Sequence, residues 1–292
     1  MYIGATSHVL MDAGLEGSLR GMARIGFEGV ELALPHLREV ANADRPEAEA
    51  ERIGGLVAEL GMRMPQVHFE VAAMGSLDDA QRDSDLALVE RHLALCARMG
   101  ITVGVLHPVG GMPADLDEHR RVARTRIDSF ARVTEFAAGR GFSIAIENTY
   151  DPHGDETSAM GRRRFGSVVP ELLEVIDAVG MDNFGICLDT GHTNLQGIPV
   201  GEALRQCGDR LIGTHMNDNH GHADEHIEPL RGTLDWPAAV AALRAIGYEG
   251  IFSLEIGPLR GQPIEAQESW LASVLATTRW LLDQANLGTE EA

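Results

Sequence analysis

Eight short apolar runs, separated by longer amphipathic stretches, set the rhythm of this sequence; they fall at 2–6, 29–34, 63–69, 102–107, 143–148, 184–189, 211–216 and 251–256. Helical periodicity occupies 48–60, 80–99, 117–140, 169–178, 238–246 and 266–284 between them. Such alternation predicts parallel strands, each returned to its start by a helical crossover. Four strands follow a helix-stop glycine, at Gly26, Gly61, Gly100 and Gly247, where glycine can take the left-handed conformation that ends a helix. A length of 292 residues is normal for one closed barrel of this kind. The expected fold is therefore α/β, a single-domain (β/α)8 TIM barrel over 1–287, with 288–292 as a frayed tail.

Composition narrows the chemistry. The chain has no lysine, so all 24 basic side chains are arginine. That removes Schiff-base catalysis, together with the lysine on which pyridoxal phosphate and P-loop nucleotide enzymes depend. A formal charge of −20 repels polyanions, which makes nucleic acid and acidic membrane surfaces unfavoured partners. Cys96, Cys187 and Cys207 are odd in number, widely spaced and set among apolar residues. They read as reduced structural thiols of a cytoplasmic protein. Neither a leader pattern nor an apolar stretch of membrane-spanning length is expected.

The polar residues at the ends of the apolar runs carry the functional signal. His68, His107, Glu147, Asp189, His215 and Glu255 stand last or next to last in runs three to eight, and a parallel barrel gathers those ends on one rim. Any one of them alone reads equally well as a salt-bridged or solvated rim residue. Together they call for a cation, because clustered carboxylates and imidazoles on apolar strands are costly to bury unpaired. Glu147, Asp189, His215 and Glu255 form the core ligand set, and mixed Asp/Glu/His ligation suits Mn, Zn, Co or Fe better than Mg or Ca.

Other candidates are less determined. His192 follows Asp189 by three residues, and Asp224 and His226 form a short Asp-Glu-His pattern whose alternative is a polar loop. Glu31, at the end of the second run, reads as an arginine partner or a substrate contact. Arg162, Arg163 and Arg164 form a positive patch that can clamp a phosphate or carboxylate, or else serve as a solvated loop. His8, His36, His92, His119, His153, His220 and His222 are expected to be solvated. The long polar insertions at 149–167 and 217–235 both follow strands, where barrel enzymes build their active faces.

Ile-Glu-Asn-Thr, Cys-Leu-Asp-Thr-Gly-His, His-Met-Asn-Asp-Asn and Ser-Leu-Glu-Ile resemble motifs of the xylose isomerase-like barrel superfamily. That group includes sugar epimerases of the D-tagatose 3-epimerase type, hydroxypyruvate isomerase, inosose dehydratase and endonuclease IV. The resemblance implies one divalent ion on the core set, with Glu147 and Glu255 also acting as acid and base and His192 touching substrate. It further implies an isomerase or epimerase of a small sugar, sugar phosphate or related polyhydroxy carbonyl compound. The metal polarises a carbonyl and its neighbouring hydroxyl, and one glutamate removes the proton between them. The resulting metal-bound enediolate is then reprotonated.

An inosose-type dehydratase is a close variant. Endonuclease IV implies another reading, since His68, His107, His192, Asp224 and His226 match its additional zinc ligands. Two or three ions and phosphodiester hydrolysis then become the alternative. A small-molecule substrate is the expected partner, and members of the group also form homo-oligomers. A binding protein that keeps the rim without turnover is the third reading.

Overall fold

The computed structural model describes residues 1–69, 74–108, 115–151 and 164–287. Its eight strands are β1 (Tyr2–Thr6), β2 (Gly29–Leu32), β3 (Arg63–His68), β4 (Val103–Leu106), β5 (Ser143–Glu147), β6 (Phe184–Asp189), β7 (Leu211–His215) and β8 (Ile251–Leu254). They run parallel in the order β7-β6-β5-β4-β3-β2-β1-β8. The seam between β7 and β8 closes through the Met216 N–H to the Ser253 carbonyl (2.7 Å) and the Glu255 N–H to the Met216 carbonyl (3.2 Å). Below them the Thr214 hydroxyl donates to the Ile251 carbonyl at 2.7 Å, supplying a bond the short ladder lacks. The result is the expected TIM barrel.

Ten α-helices surround it among the described residues: α1 (Gly14–Ile25), α2 (Leu34–Ala41), α3 (Pro46–Glu59), α4 (Asp79–Arg98), α5 (Leu116–Ala138), α6 (Val169–Val179), α7 (Thr190–Leu195), α8 (Val200–Cys207), α9 (Trp236–Ala245) and α10 (Ile264–Leu287). The four helix-stop glycines take φ values of 70° to 100°. Strands two and four are shorter than the apolar runs suggest. Pro35 stands in the first turn of α2 and draws residue 34 into that helix, whereas Pro108 has no N–H with which to continue β4. No helix among the described residues is long and apolar enough to cross a membrane.

Most apolar side chains lie between sheet and helices, where Phe69, Phe130, Phe142, Phe184, Trp236 and Phe252 are fully buried. The barrel interior is different. It holds a small cluster of Val105, Ala145 and Cys187, with Gly213 so close to the Gln66 side chain that a Cβ there would stand 2.7 Å from its Oε1. This narrow space leaves room for the buried polar side chains of Glu31, Gln66 and Ser253. All three cysteines are free and buried.

Three histidines expected in solvent are not there. His92 is buried in α4, His8 is partly buried with its ring on the Ile256 carbonyl at 3.0 Å, and His36 is buried beside Ser7 Oγ at 2.8 Å. Each is covered by tertiary packing, which polarity alone does not reveal. His119, His220 and His222 are exposed; His153 lies outside the described residues, as does the 288–292 tail.

Burial pushes the His36 imidazole down to about 4. A group depressed from an unfolded value near 6.5 contributes stability that is fully present above pH 6.5 and is lost as pH falls toward 4. The expected loss is about 3 kcal/mol. Chemical denaturation of wild type and His36→Asn at pH 7 and pH 4.5 checks this: the variant's stability should fall less between the two.

Candidate metal centre

The six strand-end residues converge on one rim. His68, Glu147, Asp189 and His215 are the last residues of β3, β5, β6 and β7, and His107 and Glu255 follow β4 and β8 directly. The ligand atoms of Glu147, Asp189, His215 and Glu255 all lie within 4.8 Å of one another. His215 Nδ1 stands 2.9 Å from Glu147 Oε1 and 3.2 Å from Glu255 Oε2. Glu147, Asp189 and His215 are buried, whereas Glu255 keeps 15% of its side chain exposed. The rim above it keeps access to solvent, for His68 and His107 are partly exposed as well.

Besides a His68–His215–Glu255 group that overlaps it, two further groups of three adjoin it: His68, His107 and Glu147, and His192, Asp224 and His226. In the first, the Nε2 atoms of His68 and His107 face each other at 3.0 Å and both reach Glu147 Oε2, at 3.2 and 2.9 Å. In the second, Asp224 lies 3.5 Å from His192 Nε2 and 3.3 Å from His226 Nε2. His226 is held in the left-handed region at φ 46°. Its ring donates to the Glu255 carbonyl at 2.9 Å and its own carbonyl accepts from Gly257 N–H at 2.8 Å. Those two bonds over-determine a backbone conformation that L side chains disfavour.

The chemistry of the donor set fits a divalent cation. Backbone carbonyls can only accept, so the contacts of His68 Nδ1 with Phe69 O, His192 Nδ1 with Asn148 O and His226 Nδ1 with Glu255 O place a proton on each Nδ1. Each Nε2 then points at carboxylates, where it can exchange its proton for a metal, the arrangement that metal-ligating histidines adopt. Burial pushes Glu255 up to about 7, against the pull of His215 and reinforced by the neighbouring Glu147 carboxylate. Negative charge is in excess here, and a dication would relieve it.

Asp189 is held by its neighbours. Its Oδ1 caps α7 by accepting the His192 N–H at 2.7 Å, and its Oδ2 accepts from Asn217 Nδ2 at 2.8 Å. Asn148 grips the Asp189 backbone on both sides, accepting from its N–H at 2.7 Å and donating to its carbonyl at 3.0 Å. A Cβ on Gly191 would sit 1.9 Å from Asn217 Oδ1, so Gly191→Ala must push Asn217 off Asp189. Mn2+ affinity, measured calorimetrically, is expected to fall roughly tenfold in that variant.

Glu31 departs from expectation. No arginine is among its hydrogen-bond partners in the described residues: it is fully buried beneath the rim, bonded to His215, Ser253 and Gln66. The physical reason is that its strand position points inward, at a level below the strand ends. Arg164 is exposed, and its guanidinium donates to the Tyr150 carbonyl at 3.3 Å; Arg162 and Arg163 lie outside the described residues.

Sequence reading missed Asn148, Tyr150, Asn217 and Asp218. The Tyr150 ring lies 5.3 Å from that of His192 and walls one side of the site. Asp218 is fully buried, and its carboxylate accepts from the Gly232 and Leu234 N–H groups and from the Trp236 indole at 3.0, 3.2 and 2.8 Å. Asn217, Asp218 and Asn219 form a consecutive polar triplet directly after a strand. That was the available signal.

Comparison with known proteins agrees with this architecture. The chain is 25% identical over 246 residues to D-psicose 3-epimerase of Agrobacterium fabrum, covering 80% of this chain and 76% of that protein. It is 26% identical over 285 residues to 3-dehydro-D-guloside 4-epimerase of Escherichia coli, covering 93% and 98%. Among solved structures, the IOLI protein with a bound zinc atom superposes with a TM-score of 0.79 at 16% identity, covering 98% of this chain and 99% of that one. A family model described as xylose isomerase-like TIM barrel matches residues 19–274, and the chain belongs to that family.

Proposed function

We propose that the protein is a divalent-metal-dependent isomerase or epimerase of a small sugar, sugar phosphate or related polyhydroxy carbonyl compound. The observation that carries this reading is the convergence of Glu147, Asp189, His215 and Glu255 on one ligand-sized volume at the open rim. Related proteins named as sugar epimerases support the activity class, and a fold neighbour with zinc supports the metal. When bound, the ion polarises a carbonyl and the hydroxyl beside it, which acidifies the carbon-bound hydrogen between them.

The chain's own groups do the rest. Glu147 and Glu255 come from β5 and β8, so their carboxylates approach the same volume from different sides of the barrel. One carboxylate takes the proton from carbon, and return from the opposite side inverts that carbon. Return to the neighbouring carbon isomerises instead. His192, with its Nδ1–H committed to the Asn148 carbonyl, offers Nε2 to a substrate hydroxyl.

The test uses protein loaded with Mn2+, Co2+ or Zn2+ in deuterated water with a panel of ketoses, inososes and their phosphates. One solvent deuteron should appear at the carbon beside the carbonyl. Absence of exchange across the panel sinks the proposal.

The two adjoining histidine groups favour a second reading, a multinuclear hydrolase of phosphodiesters. It requires two or three ions per chain and cleavage of a substrate such as an abasic-site oligonucleotide. Metal content near one equivalent after full loading rules it out. The −20 charge weighs against a polynucleotide substrate.

A further inference from the structure

Beneath the rim, one carboxylate takes no part in the proposed proton transfers. Glu31 sits on β2, paired in register with Thr6 of β1 and Gln66 of β3, and has no solvent exposure. A buried carboxylate is costly unless every lone pair direction meets a donor. Three strands supply them: His215 Nε2 from β7 at 2.8 Å on Oε1, and on Oε2 Ser253 Oγ from β8 at 2.6 Å and Gln66 Nε2 from β3 at 2.9 Å.

The orientation of Gln66 is informative. Its amide turns Nε2 toward Glu31, while its buried Oε1 has no hydrogen-bond partner among the described residues. The reversed amide would press an oxygen against the carboxylate. Gln66 thus forgoes one hydrogen bond to serve Glu31 as a donor, and with Ser253 it fills Oε2, so Oε1 is left to His215. His215 then donates through Nε2–H, which leaves Nδ1 as the nitrogen that can give up its proton and ligate. That Nδ1 is the atom facing Glu147 and Glu255.

His215 also differs from His68, His192 and His226. Their distal nitrogens rest on neutral backbone carbonyls, whereas that of His215 rests on a carboxylate. An anionic partner both fixes the ring orientation and strengthens the opposite nitrogen as a donor to metal.

We infer that Glu31 is the positioning residue of the centre, holding a proton on His215 Nε2 and aiming Nδ1 into the volume shared with Glu147, Asp189 and Glu255. This rests on the metal-binding reading proposed above. Glu31→Gln keeps the shape but offers one acceptor oxygen in place of two, so its amide N–H2 must face either His215 or the Ser253–Gln66 pair, and the charge is removed.

The experiment pairs two readouts. Co2+ titration, followed by calorimetry and by the visible d–d spectrum, is expected to give a Kd roughly 10–100-fold weaker for Glu31→Gln than for wild type. Nitrogen-15 correlation spectra of the metal-free wild type should show His215 protonated on Nε2. Wild type whose His215 Nε2 carries no proton overturns the inference, and this readout needs no variant to fold. Wild type that binds Co2+ beside a folded Glu31→Gln of equal affinity and spectrum overturns the Glu31 assignment alone. Wild type that binds no Co2+ overturns the metal reading and this inference with it.

Discussion

Glu147→Gln is expected to lower the rate of solvent deuterium exchange by roughly 10²–10⁴-fold, with the fold retained. Glu147 is the most shared group of the centre: Oε1 meets His215, and Oε2 meets both His68 and His107. Burial alone would raise its pKa, but the imidazoles of His215 and His107 hold it well below the usual carboxylate range. It therefore stays ionised at any working pH, as both a metal ligand and a proton acceptor require. Gln at this position keeps the size and loses both capacities. The measurement is exchange at saturating metal, with a thermal melt to establish folding. A variant that exchanges at the wild-type rate removes Glu147 from the chemistry and leaves Glu255 as the only glutamate of the set able to take the proton.

Asp218→Ala is expected to be the most damaging substitution for stability away from the ligands. It leaves the Gly232 and Leu234 N–H groups and the Trp236 indole without their buried acceptor. Unmet buried donors cost about 1–3 kcal/mol each; with partial relaxation, a total of about 3–5 kcal/mol follows, and Tm falls by roughly 10 °C. The effect should also be local. Asp218 pairs through its backbone with Ile227, at 2.8 and 3.1 Å, immediately beside His226. Release of the 217–235 segment would scatter Asp224 and His226 while leaving Glu147 and Asp189 on their strands. Limited proteolysis should therefore cut this segment first, and a variant as resistant and as stable as wild type would contradict the assignment.

Much of the barrel could be read directly from the chain. Apolar runs, helix-stop glycines and strand-end polar residues locate the strands within a residue or two, and the six rim residues come together because parallel topology leaves their ends on one side. The misses share a physical cause. Glu31, His36 and Asp218 are polar residues whose partners lie far along the chain: Ser253 is 222 residues from Glu31, Ser7 is 29 from His36, and the Trp236 indole is 18 from Asp218. Nothing local to those positions distinguishes a buried, satisfied group from a solvated one. Glu31 in particular looks like a rim residue because it ends its apolar run, yet only the barrel shows that its level lies below the rim.

What the sequence determined by itself was the periodicity, and with it the number of strands, their direction and the chemical types delivered to their ends, since these depend on local hydrophobic spacing and turn residues. What only the tertiary structure decided was which nitrogen of each histidine faces the centre, which carboxylates share it, and which acid sits beneath it as support. Those depend on hydrogen bonds between strands remote in sequence, and closure of the barrel is what brings their partners within 3 Å.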